Sequence, residues 1–110
     1  VLEMIGGIGG ADARGLIDRV FGLYEAHAPD ALQTLEQKFA EGDRDAIAEA
    51  AHALKSMSFN VGARRVGEAC DTLEDVARTQ SDTPIEPHLA AVVTALTDAL
   101  ARIEDLKAAA

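Results

Sequence analysis

From residue 43 onward, apolar and polar positions alternate with the step of an α-helix. Ile47, Ala51, Leu54, Ser58 and Val61 recur at steps of four, three, four and three, which lays them along one side of a helix. Asp43 stands where an N-cap side chain is needed, and Gly62 where a left-handed residue ends the helix. A further stripe of Val66, Ala69, Cys70, Leu73, Val76 and Ala77 is closed by the loop "TQSDTP". The last stripe holds Leu89, Val92, Val93, Leu96, Leu100 and Ile103. Its helix is opened by Pro84 or Pro87, since the first helical turn does not need proline's missing N–H.

Upstream, Leu16, Val20, Tyr24, Leu32, Leu35 and Phe39 keep helical spacing from an Asp12 cap to the "EGD" break at 41–43, and Pro29 is expected to kink or split that segment. Glycines at 6, 7, 9 and 10 limit the start of the chain to a short helix and a flexible turn. Amphipathic segments joined by short loops have to bury their stripes against one another. The expected fold is all-α: an antiparallel up-and-down four-helix bundle with a short extra N-terminal helix, one domain over 1–110. Composition agrees, because 48% of the 110 residues are hydrophobic, Trp is absent, and a chain of this length builds one core unaided.

Charge narrows the partners. Nineteen acids against ten bases give a net charge of −9, the wrong sign for tracking a nucleic-acid backbone or an anionic membrane. The lone Cys70 has no disulfide partner, no run approaches the ~18 apolar residues of a membrane span, and no secretory pattern is visible. A monomer in the cytoplasm is expected.

With the Ile47–Val61 stripe facing the core, His52 falls about 140° away and is expected to point at water. Ala48 and Ser56 lie on the same outward side, with Lys55 on the flank and Phe59 two turns on. At neutral pH an exposed imidazole is largely the free base, a nucleophile. Lys55 can bring an ammonium to a phosphoryl group on His52, while Ala48 and Ser56 leave room for a partner and Phe59 offers it apolar surface. Such a site suits phosphoryl transfer, where positioning and charge stabilisation do most of the work. Each residue also has an ordinary explanation. A single exposed helix histidine is commonly solvated surface, Ser58 is expected to bond back to a carbonyl one turn earlier, and Met57 is expected to fill the core edge.

The run "AHALKSMSFNVGARRVGEACDTLE" resembles the signature of histidine-containing phosphotransfer (HPt) domains. In that family Ala-His-x-Leu-Lys-Gly precedes a few small residues, Asn-Leu-Gly-Ala and a helix ending Cys-x-x-Leu-Glu. Ala51, His52, Leu54, Lys55, Asn60, Gly62, Ala63, Cys70, Leu73 and Glu74 match in register. The likeness continues more loosely upstream, through Pro29 and the Gly-Asp turn, while the last helix, 85–107, matches in pattern only. The resemblance implies a four-helix bundle with His52 as phospho-acceptor and Lys55 as phosphate neighbour. It also implies the role: carrying phosphoryl groups between aspartates of receiver domains, in response regulators and hybrid histidine kinases. Such a chain is a carrier rather than an enzyme and binds no cofactor, the receiver bringing Mg²⁺. The departures are Ser56 for the usual Gly, Met57 for a small residue, Phe59 for Ala or Ser, and Val61 and Val66 for Leu.

Two rivals remain. A histidine-kinase dimerisation helix pair wants an acid directly after the His and a proline further on, where this chain has Ala53 and Met57. "GGIGG" lacks the Lys-Ser/Thr of a phosphate-binding loop. A degenerate bundle that only binds partners, never phosphorylated, has no need of Lys55. His27, His52, Cys70 and His88 show no paired ligand spacing, so no metal site is expected; His27 and His88 are expected at the surface.

Overall fold

The computed structural model describes residues 11–79 and 82–108. The short N-terminal helix and flexible turn expected within 1–10 lie outside them. Four helices make up the described chain: α1 (Ala11–Glu41), α2 (Arg44–Asn60), α3 (Arg64–Arg78) and α4 (Glu86–Ala108). No strand occurs among the described residues, and the helices pack as a bundle.

Local chemistry explains most boundaries. Asp43 Oδ1 accepts the Ala46 N–H at 3.2 Å and so caps α2. Gly42 and Gly62 take φ of 75° and 78° in the two tight turns that flank α2, a backbone region costly for other residues. Pro87 falls in the first turn of α4, where it removes no helix hydrogen bond. The cap expected of Asp12 falls on a side chain outside those described. Pro29 neither ends nor divides α1, which runs unbroken through 31 residues. It is exposed, on the side where water can satisfy the carbonyl that proline leaves without a helix partner.

All five predicted stripe residues of α2 are buried, and Cys70, Leu73 and Ala77 of α3 meet Val92, Leu96 and Ile103 of α4 in the same core. On α1 the buried face is Phe21, Tyr24, Ala28 and Leu35. Leu16, expected there, is 53% exposed. The Tyr24 hydroxyl and Ser58 Oγ share a buried hydrogen bond of 2.8 Å, so Tyr24 stands level with a residue near the end of α2. Seven residues before Tyr24, on the same face of α1, Ile17 takes the core-facing place that Leu16 was expected to fill. The same bond corrects Ser58, whose hydroxyl crosses to α1 instead of returning to its own helix. Met57 is half-buried against the core, as expected.

α2 and α3 form the most extensive helix pair. Arg44, in the first turn of α2, donates from a terminal guanidinium nitrogen to Val76 O at 2.8 Å and from Nε to Ala77 O at 3.4 Å, serving carbonyls that the end of α3 leaves free. At the opposite end, Phe59 in the last turn of α2 lies over Gly67 in the first turn of α3.

Candidate functional site

His52 sits midway along α2, with its side chain 55% exposed. The ring is not turned wholly to water as expected. It leans on α3, where Nδ1 lies 3.2 Å from both carboxylate oxygens of Glu74. Among the described residues Nε2 makes no hydrogen bond. With the Nδ1 proton donated to a carboxylate, the tautomer is set and the Nε2 lone pair faces solvent.

Glu74 is the hub of this cluster, its side chain only 12% exposed. Lys55 Nζ approaches Oε1 at 2.7 Å, and Arg78 Nε donates to Oε2 at 3.0 Å from one turn along α3. Burial alone would raise the carboxyl's pKa, but hydrogen bonds from Lys55, Arg78 and His52 outweigh it and bring the value down from 4.5 to about 2. Lys55 also donates to Asp71 Oδ1 at 3.2 Å. Its ammonium is held charged, its pKa raised first by Glu74 and then by Asp71. Two carboxylates, Glu74 and Asp71, thus meet two cations, Lys55 and Arg78, beside the imidazole.

Ser56 and Phe59 are exposed on the His52 side of α2, the outward placement expected of them. Ala48 is not: it is fully buried. Arg44, one turn before it, and Lys55, two turns after it, both bond to α3, so α2 turns that side toward its neighbour and covers Ala48. A methyl group there allows close approach of the helices instead of leaving room for a partner. Cys70 lies beneath the cluster, fully buried, and burial pushes its thiol up to about 12 despite the nearby Lys55, so it is not a nucleophile. His27, on α1, is exposed, and His88, in the first turn of α4, is half-buried.

Sequence reasoning gave no role to Glu74, Asp71, Arg78 or Gly67. The signal for Glu74 was present: an acid directly after the core residue Leu73, with an arginine four residues on, falls at the edge of the buried stripe. Among the described residues, no group of three or more His, Cys, Asp or Glu side chains is placed to hold a metal ion. No helix among them is long and apolar enough to cross a membrane. The arrangement supports a solvent-facing nucleophile with a fixed tautomer and a cation alongside. A family model described as Hpt domain matches residues 19–106, which include all of α2 and α3 and most of α1 and α4. Neither the curated proteins nor the solved structures compared with the chain match it.

Proposed function

This chain belongs to the Hpt domain family, whose members carry phosphoryl groups on histidine in phosphorelays, and from that premise we propose that His52 is its phosphorylated residue. The observation that carries the assignment is the His52–Glu74 contact. Of the three histidines, His52 is the one paired with a nearly buried carboxylate, which Lys55 also contacts.

Transfer runs as follows. The Nε2 lone pair of His52 attacks the phosphorus of an aspartyl phosphate on a receiver domain. An N–P bond forms, the acyl phosphate's P–O bond breaks, and the receiver's aspartate leaves as a carboxylate. The Nδ1 proton stays where it was, and Glu74 offsets the positive charge that the phosphorylated ring acquires. Lys55, one turn from His52, swings between Glu74, Asp71 and the phosphoryl oxygens, gaining a charge-assisted contact when phosphate is present. The reverse sequence hands the group to another receiver. Mg²⁺ belongs to the receiver's acidic pocket, and the chain acts as a carrier without turnover of its own.

The partners are receiver domains of response regulators and hybrid histidine kinases, met by Ser56 and Phe59 on the exposed face. A single domain over 1–110, acting as a cytoplasmic monomer, is the organisation proposed. The helices follow an antiparallel up-and-down order, a reading supported by the contacts that join the start of α2 to the end of α3 and the end of α2 to the start of α3.

Incubation with receivers phosphorylated by a small phosphodonor, with Mg²⁺, tests the assignment. The chain should acquire a phosphoryl label lost in acid and kept in base, and His52→Gln should abolish it with helix content unchanged. Equal labelling of His52→Gln would move the site to His27 or His88. A chain never labelled by any receiver would instead favour the binding-only bundle.

A further inference from the structure

Gly67 is a helical glycine whose missing side chain has a use. A Cβ built there would meet Cε1 and Cζ of the Phe59 ring at 2.6 Å and Cδ1 at 2.8 Å, far inside carbon–carbon contact. The other described helical glycines, Gly15 and Gly22, have nothing within 4 Å. Gly67 is not in the left-handed region, so its backbone does not call for glycine, and alanine is the better helix former. What excludes a side chain at 67 is the ring.

Held on this seat, Phe59 still exposes 47% of its surface. It lies seven residues after His52, two turns along the same face and ~10.5 Å along the axis. A partner burying about 800 Å² of its own surface covers a disc of radius ~16 Å, so one centred on His52 reaches the ring. A large aromatic side chain already fixed in place loses little freedom on docking, which is the character of an interface anchor.

We infer that Gly67 seats Phe59 so that the ring is the specificity-determining contact for the receiver domain docking over His52, selecting receivers that present an apolar hollow two turns from the reacting histidine. The inference rests on the phosphotransfer reading above. Gly67 is then a positioning residue that acts through Phe59.

Two measurements test it separately from that reading. In the NMR spectrum of the unphosphorylated chain, the Gly67 Hα protons lie under the ring and should be shifted upfield, returning to ordinary values in Phe59→Leu. Unshifted protons overturn the seat, whatever any receiver does. Then a panel of receiver domains phosphorylated with phosphoramidate is screened, and the one that transfers fastest is used to measure Kd and the transfer rate at saturation. Phe59→Ala should weaken binding about tenfold. Gly67→Ala should weaken it comparably while leaving unfolding temperature equal or higher, and in the Phe59→Ala background it should have no further effect. Independent, multiplying losses, or Gly67→Ala binding at parental affinity, overturn the inference while leaving the histidine assignment intact. If no receiver in the panel phosphorylates the parent chain, the phosphotransfer reading falls and the inference with it.

Discussion

Replacing Glu74 by Gln removes the charge at the centre of the cluster while nearly keeping its shape. Three donors converge on this carboxylate, and holding its pKa at about 2 instead of 4.5 corresponds to about 3 kcal/mol of native stability. His52 and Arg78 are both about half exposed, and solvent screening there lowers the expected value to about 1–2 kcal/mol. The sign follows from linkage. A carboxyl whose folded pKa is depressed contributes its full stability above its unfolded value and loses it as pH falls toward the folded one. Urea unfolding of the parent and Glu74→Gln from pH 7 to pH 3 should therefore show a constant gap at neutral pH that begins to close near 4.5. More than half of it should be gone by pH 3, because the folded carboxyl titrates only near 2. A gap of the same size at every pH would mean that shape, not charge, holds α2 to α3 at this point. The same variant should slow phosphoryl transfer, since an amide can present N–H to Nδ1 and so favour the wrong tautomer.

The α2–α3 seam supplies a contrasting pair. Ala48→Glu puts an unpartnered charge where the structure has no space for it and should cost about 3–5 kcal/mol in chemical unfolding, whereas Ser56→Arg should stay within about 0.5 kcal/mol yet lower the transfer rate. Equal, small effects on stability would mean that Ala48 is not covered by α3. Lys55→Ala should slow transfer with little change in unfolding, because Arg78 and His52 still satisfy Glu74, and Lys55→Arg should rescue in part. Transfer at the parental rate in Lys55→Ala would reduce Lys55 to an anchor for Glu74.

The helices of the second half of the chain were legible because each stripe is narrow and bounded by its own cap or turn: Asp43 before α2, Gly62 after it, and proline in the first turn of α4. α1 was read less well. Its apolar positions fit more than one stripe: Leu16 is left outside, while Ile17, Phe21 and Ala28 face the core. At the site, angular placement put His52, Ser56 and Phe59 outward correctly, but it treated α2 as touching the core along a single line. A helix with neighbours on two sides buries a wider arc. That arc takes in Ala48 and brings Lys55 and His52 against α3. Contacts between helices, such as His52 with Glu74, have no signature in the spacing along either one.

The buried bond between Tyr24 and Ser58 has a consequence beyond its own strength. Stripes of leucine, valine and alanine pack almost as well after a slip of one turn as before it, so apolar burial alone leaves the sliding of α1 along α2 weakly determined. Sliding would strand two hydroxyls in a dry interior, at about 1–3 kcal/mol each, and burial has already pushed the Tyr24 phenol up to about 12, which closes ionisation as an escape. One polar pair therefore acts as a detent for the bundle. Because Ser58 shares its helix with His52, the detent also fixes how high the imidazole stands against the rim of α1, and so how deep a visiting domain has to reach.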